Sequence, residues 1–237
     1  MFVHYHIFHK ISTMSRVTKE EKNSRRKIKW VSYMEIIFDN ISLKLGGKYI
    51  FKALNLKFSS DKIYVIKGAN GSGKSTLLKL AAHILRPDFG KVIVKSEGKE
   101  LKGREYQNKI AMLTPEMRLY ENLTADENLR FFAGLRGKKP KGGDVLRLWE
   151  RVGLRENETE GKFAINLSTG MSQRVKFAIF LSADASVWLL DEPTANLDDA
   201  GREMIIAEIK KAQKNKLVIL ATNDEREFGV ADEIVEL

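Results

Sequence analysis

The segment Gly68-Ala-Asn-Gly-Ser-Gly-Lys-Ser-Thr76 constrains this chain more than any other feature of its sequence. It fits the pattern G-x-x-x-x-G-K-[ST], it follows an apolar run over Lys62–Lys67, and it opens a helical pattern over Lys74–Leu85. Glycine permits left-handed backbone, so successive N–H groups can surround an anion at the start of a helix. The segment therefore predicts a phosphate-binding loop between a buried strand and a helix. The candidate ligand-binding residues are Gly68, Ala69, Asn70, Gly71, Ser72, Gly73, Lys74, Ser75 and Thr76.

Two adjacent carboxylates follow a second apolar run, in the segment Val187-Trp-Leu-Leu-Asp-Glu-Pro193. Open α/β sheets bind ligands at the carboxyl ends of their strands, and that is where Asp191 and Glu192 are expected. We expect Asp191 to hold Mg²⁺ together with the Ser75 hydroxyl, Lys74 to reach the β- and γ-phosphates, and Glu192 to act as general base. The alternative is a solvated strand end before Pro193, which the accompanying phosphate loop disfavours.

The remaining apolar patterns predict an α/β core interrupted by helices. Met34–Leu45 and Tyr49–Phe58 flank Gly46-Gly47 and predict an antiparallel pair. A capping box at Thr124 starts a predicted helix, and a glycine-rich loop over 134–143 follows it. Short apolar runs predict buried strands of a parallel sheet at Lys91–Lys95, Lys109–Leu113, Ser186–Leu190 and Lys216–Ala221. Further helices are predicted over Asp144–Leu154, Met171–Leu181 and Arg202–Ala212.

The composition of the 237 residues excludes several classes of protein. There is no cysteine, so disulfide scaffolds, zinc fingers and iron–sulfur proteins are excluded. No apolar run approaches the ~18 residues of a membrane helix. The net charge of +10 divides into +6 over residues 1–33 and +4 over the other 204 residues. Most of the excess therefore lies in a basic leader, and specific nucleic-acid binding is not expected.

The leader over residues 1–33 is predicted to be disordered, because it is polar, charged and without sustained periodicity. Met14 and Met34 are alternative start residues. A metal site at His4, His6 and His9 is disfavoured, since tight binding needs a preorganised cluster. Contact of the leader with anionic lipid is the functional alternative.

The segment Leu167-Ser-Thr-Gly-Met-Ser-Gln-Arg174 resembles the signature motif of the ATP-binding cassette (ABC) ATPases, and Ala195-Asn-Leu-Asp198 resembles their D-loop. The resemblance covers about residues 35–237. It implies a P-loop NTPase (RecA-like) parallel-sheet core over 34–114 and 186–237 with an antiparallel β subdomain, and a helical subdomain over 115–185. It also implies a head-to-tail dimer, homomeric or heteromeric, in which Ser168 and Gly170 contact the γ-phosphate of ATP bound to the partner.

Three positions depart from that family's pattern. Pro115 stands where the family usually has glutamine, and Glu116 is the nearest polar residue. Asn223 replaces the switch histidine; it can hydrogen-bond a γ-phosphate but cannot carry a proton. Leu45 stands where an aromatic residue stacks on adenine, unless Tyr49 takes that role. These departures bear on the rate of hydrolysis rather than on nucleotide binding.

The resemblance implies an ATPase that powers a separate membrane permease from the cytoplasmic face of the cell membrane. The helical subdomain would face the permease. The stretch Leu119–Phe132 is similar to small exporter cassettes, among them the haem-exporter type of cytochrome c maturation. A ribosome-associated cassette, which normally has two cassettes in one chain, and a DNA-repair ATPase with long coiled coils are the alternatives.

Overall fold

A computed structural model describes residues 32–237 of the chain. Apart from residues 32 and 33, the predicted leader lies outside the described residues, and so do its three histidines and Met14. Across residues 32–237, no helix has the length and apolar character needed to cross a membrane.

The described chain forms two sheets and a set of helices. The strands are β1 (Met34–Leu45), β2 (Lys48–Ser59), β3 (Lys62–Lys67), β4 (Phe89–Ser96), β5 (Lys99–Glu100), β6 (Ile110–Leu113), β7 (Val187–Asp191), β8 (Leu217–Ala221) and β9 (Glu233–Glu236). The helices are α1 (Lys74–Ala81), α2 (Arg104–Gln107), α3 (Ala125–Leu135), α4 (Gly142–Arg151), α5 (Glu156–Thr159), α6 (Thr169–Ser182), α7 (Asp199–Gln213) and α8 (Glu225–Phe228), with a 3₁₀ turn at Ala164–Asn166.

The larger sheet is parallel and has the strand order β6-β7-β8-β3-β9. Side chains of β3 alternate between two buried clusters: Ile63 and Val65 join the cluster that includes α6 and α7, while Tyr64 and Ile66 join the cluster that includes α1. Both faces are therefore covered, as the continuous apolar runs predict. The edge strand β9 was not predicted, because most of its residues are exposed and charged residues begin and end it.

The register of this sheet determines where the site forms. Asp191, the last residue of β7, pairs with Ala221 at the end of β8, and Ala221 pairs with Ile66 near the end of β3. The loops that follow β3, β7 and β8 consequently leave the sheet at one edge.

The smaller sheet is antiparallel and has the order β2-β1-β4-β5. The predicted hairpin is confirmed: Gly46 and Gly47, both with positive φ, join β1 to β2. The assignment of Lys91–Lys95 to the parallel sheet is wrong, because β4 pairs antiparallel with β1. A short apolar run looks the same in either kind of sheet, and the sequence contains no signal for its partner.

Helices α3 to α6 occupy the chain between β6 and β7. The capping box is present, since the Glu127 N–H donates to Thr124 Oγ1 at 3.2 Å and the Thr124 N–H donates to Glu127 Oε2 at 2.8 Å. Several predicted boundaries are wrong, and the helix predicted over Asp144–Leu154 runs over Gly142–Arg151. Helix α1 ends at Ala81, before His83 takes a left-handed conformation (φ 56°). The predicted glycine-rich loop is shorter than expected, because Gly134 lies within α3 and Gly142 begins α4.

Candidate functional site

The loop between β3 and α1 has the backbone that its glycines predict. Gly71 (φ 83°) and Gly73 (φ 107°) take conformations that disfavour other residues. A Cβ at Gly73 would lie 2.7 Å from Ile50 Cγ2, so the site tolerates no side chain there. Helix α1 starts directly after Gly73 without a side-chain cap, which leaves its first N–H groups available to an anion.

The Lys74 side chain lies across this loop. Its ammonium donates to the carbonyl oxygens of Gly68 at 2.7 Å and Ala69 at 3.1 Å, and the residue is 7% exposed. The positive charge is thus held against the loop by weak neutral acceptors. Phosphate oxygens are stronger, charged acceptors for the same ammonium.

Asp191 and Ser75 meet at the edge of the parallel sheet. Asp191 is 3% exposed and accepts a hydrogen bond from the Ser75 hydroxyl. Burial raises the pKa of the Asp191 carboxyl, and the hydrogen bond from Ser75 and then the charges of Lys79 and Lys74 partly offset that effect. Among residues 32–237 no three His, Asp or Glu side chains converge as a metal cage. One carboxylate and one hydroxyl beside a phosphate loop fit Mg²⁺, which takes few protein ligands and completes its shell with phosphate oxygens and water.

Glu192 is held in a strained and well-defined position. Its backbone is left-handed (φ 46°), and its N–H donates to the Ala221 carbonyl at 2.9 Å. The carboxylate accepts from the Asn223 N–H at 3.1 Å and from Thr222 Oγ1 at 3.3 Å. Burial and, secondly, the charge of Glu227 raise the pKa of the Glu192 carboxyl. A raised pKa brings a carboxylate closer to the range suited to a general base at neutral pH.

Asn223 and Glu116 lie on either side of these carboxylates. The Asn223 amide donates to Asn70 Oδ1, which brings the residue after β8 against the phosphate loop. Glu116 accepts from Lys79 Nζ of α1 at 2.9 Å, and this hydrogen bond lowers the pKa of its carboxyl. Pro115 directly precedes it in the chain and is the second residue after the end of β6.

Ser168 and Gly170 occupy the start of α6. Ser168 is the N-cap residue and accepts from the Met171 N–H at 3.2 Å. An ideal Cβ on Gly170 would lie 3.7 Å from the Asn196 carbonyl oxygen, so the D-loop segment packs against this helix start. In the described part of the chain, no hydrogen bond joins either residue to the phosphate loop.

The residues considered for adenine stacking lie beside the hairpin. Leu45 is 44% exposed and Tyr49 is 47% exposed. Lys44 Nζ lies 4.4 Å and Lys52 Nζ 4.9 Å from the centre of the Tyr49 ring. Tyr49 also directly precedes Ile50, which contacts Gly73 of the phosphate loop.

Sequence reasoning assigned no individual role to three residues that hold the site together, of which only Gln173 lies in a motif that it singled out. Thr194 Oγ1 donates to Glu227 Oε1, and Gln173 Nε2 donates to the Pro193 carbonyl at 2.8 Å. Thr194 follows the carboxylate pair in the chain, which is a weak signal. Glu227 lies 33 residues further on, and the sequence contains no signal that links the two.

The profile of the family described as "ABC transporter" matches residues 51–195, a span that contains the phosphate loop and both carboxylates. This chain belongs to the ABC transporter family. The resemblance deduced from the signature and D-loop segments is therefore confirmed.

Individual relatives cover most of this ABC protein. It is 34% identical over 205 residues to the cytochrome c biogenesis ATP-binding export protein CcmA of Agrobacterium fabrum, covering 85% of this chain and 94% of that protein. It is 33% identical over 210 residues to the sulfate/thiosulfate import ATP-binding protein CysA of Mesostigma viride, covering 85% of this chain. The alignment spans 59% of CysA's length.

A solved dimeric structure of MJ0796, a bacterial ABC transporter cassette, superposes with a TM-score of 0.74 at 26% identity. It covers 85% of this chain and 94% of that one. The predicted α/β class, with a parallel core sheet and an additional antiparallel sheet, is thereby confirmed.

Proposed function

We propose that this chain is the ATP-binding and ATP-hydrolysing subunit of an ABC transporter and that it powers a separate membrane permease. The observation that carries the proposal is the convergence of Lys74, Ser75, Asp191 and Glu192 on one phosphate loop in a member of this family. The names of both relatives describe ATP-binding transport proteins, which agrees with that chemistry.

In this proposal, each residue has a role that its position favours. The N–H groups at the start of α1 bind phosphate oxygens, and Lys74 exchanges its loop carbonyls for the β- and γ-phosphates. Ser75 and Asp191 hold Mg²⁺, which neutralises charge on the phosphates when bound. Glu192 orients the attacking water and accepts its proton, while Asn223 donates a hydrogen bond to the γ-phosphate.

We further propose that ATP drives dimerisation of two such cassettes, identical or different. Ser168 and Gly170 would contact the γ-phosphate bound at Gly68–Thr76 of the other cassette, and hydrolysis would release the pair. Their position at the start of a 14-residue helix supports this role, because free N–H groups there attract phosphate. The dimeric structure of the MJ0796 cassette is consistent with it.

In this proposal the helical segment 115–185 faces the permease, and the protein acts at the cytoplasmic face of the cell membrane. Coverage of 94% of CcmA against 59% of CysA favours the small exporter type.

Capture of the full chain from native membranes is expected to recover a multi-span membrane protein. Recovery of ribosomes or DNA without one would favour the alternative, a non-transport ABC ATPase.

Hydrolysis is tested on the purified full chain with Mg·ATP. We expect turnover that Glu192→Gln abolishes, while nucleotide still binds and the fraction of dimer in ATP rises. The matched control is Glu203→Gln on the exposed face of α7, which should leave the rate unchanged. Full turnover by Glu192→Gln would show that another group is the general base.

A further inference from the structure

We propose that Thr194 and Glu227 form a latch that positions Glu192 for hydrolysis, an inference that rests on the function proposed above. The Thr194 hydroxyl donates to Glu227 Oε1, and the two residues are 3% and 1% exposed. This hydrogen bond ties the turn after β7 to α8, which follows β8. It therefore joins the turn that contains Glu192 to the segment after β8, whose Asn223 N–H binds the Glu192 carboxylate.

The first end of the latch fixes the backbone of Glu192. Thr194 lies two residues after Glu192 in the same turn, which the Ala195 N–H closes by donating to the Glu192 carbonyl at 3.2 Å. The left-handed backbone conformation of Glu192 is strained, and it persists only because several contacts around it hold it in place. The latch supplies one such constraint, and the hydrogen bond from Gln173 Nε2 to the Pro193 carbonyl supplies another.

The second end of the latch, Glu227, fixes the position of Asn223, whose N–H binds the Glu192 carboxylate. Glu227 belongs to the same turn as Asp224, since its N–H donates to the Asp224 carbonyl at 2.9 Å. Asp224 directly follows Asn223, whose N–H donates to Glu192 Oε1. The Thr194–Glu227 hydrogen bond thus fixes the position of the Asn223 N–H, the donor, relative to the Glu192 carboxylate, the acceptor.

The environment of Glu227 indicates more than a stabilising contact. Within the described residues, its Oε2 is buried and has no hydrogen-bond partner. A buried acceptor without a partner costs stability, so a glutamate here is a poor choice for packing alone. A role in positioning the neighbouring catalytic carboxylate accounts for its presence.

The test uses the purified full chain with Mg·ATP, and three single variants alter the latch. Thr194→Val removes the donor and keeps the shape, Glu227→Ala removes the acceptor, and Thr194→Ser retains the donor. We expect Thr194→Val and Glu227→Ala each to lower kcat about tenfold or more, because small displacements of a catalytic group are costly. KM for ATP and Kd for ADP should stay within about twofold of wild type, since the phosphate loop is untouched.

Two comparisons separate positioning from general loss of stability. The double variant should be no slower than the slower single variant, and Thr194→Ser should recover most of the wild-type kcat. Glu208→Gln alters another buried glutamate, which pairs with Arg151 away from the site, and should lower the unfolding temperature without lowering kcat.

The outcomes are distinguishable. Wild-type kcat in folded Thr194→Val and Glu227→Ala overturns the latch and leaves the proposed function standing. No turnover by the wild-type chain overturns both, because Glu192 would then have no hydrolysis to serve. If Thr194→Val does not fold, Thr194→Ala replaces it, since alanine removes the donor without placing a methyl group against Glu227.

Discussion

Replacing Asp191 by asparagine should stabilise the fold while it impairs the proposed magnesium site. Asp191 is 3% exposed, and burial of its charge raises the pKa of the carboxyl. Asparagine keeps the shape and can still accept the hydrogen bond from Ser75, but it carries no charge to desolvate. Single stabilising substitutions commonly contribute about 0.5–2 kcal/mol, and we expect removal of this buried charge to lie in that range. For a folded body of this size, each kcal/mol raises the unfolding temperature by about 2–4 °C.

The pH dependence of that gain follows from the direction of the pKa shift. A carboxyl whose pKa is raised in the folded state makes the folded protein less stable as pH rises through that pKa, because the charge is buried only in the folded state. The advantage of Asp191→Asn should therefore be full at pH 7.5, should shrink as pH falls through the raised folded-state pKa, and should vanish only below about pH 4, where the wild-type carboxyl is protonated in both the folded and the unfolded state.

The assay is thermal unfolding of the full chain without nucleotide or Mg²⁺, at several pH values. Asp61→Asn in an exposed turn is the matched control and should unfold at the wild-type temperature at every pH. A lower unfolding temperature for Asp191→Asn at pH 7.5, or a gain that is independent of pH, would refute the reasoning. Either result would mean that Ser75, Lys74 and Lys79 compensate the buried charge fully.

Three further predictions concern other parts of the fold. Thr124→Ala should lower stability by about 1 kcal/mol through loss of the capping box, measured by urea unfolding, whereas Thr124→Ser should not. Gly73→Ala should weaken nucleotide binding in calorimetry, because its methyl would lie 2.7 Å from Ile50 Cγ2 in a disfavoured conformation; unchanged affinity would contradict the loop geometry. Hydrogen bonding to Arg226 lowers the pKa of Asp224 to about 2. Asp224→Asn should therefore reduce stability at pH 7, and the difference should shrink as pH falls from about 4 towards 2.

The sequence predicted those elements whose periodicity or turn chemistry is unambiguous. Strand β3 and the hairpin at Gly46-Gly47 lie where expected, since a buried run and a two-glycine turn leave few alternatives. The partner of β4 could not be predicted, because Val92, Ile93 and Val94 suit either sheet. Strand β9 was missed because an edge strand with charged ends has no apolar pattern to detect.

The residues of the candidate site fall into two groups: those in contiguous motifs, which the sequence predicts, and those brought together by contacts between strands, which it does not. Residues in the phosphate loop and the carboxylate pair are adjacent in the chain, so the sequence alone groups them. The strand order places β8 between β3 and β7, and no local pattern encodes that order. The residue after β8 is for that reason adjacent to both loops: the Asn223 side chain contacts Asn70, while its backbone N–H holds Glu192. If asparagine replaces a switch histidine here, as the resemblance implies, the replacement changes the side-chain contact with Asn70 and leaves the hydrogen bond to Glu192, because that bond comes from the backbone.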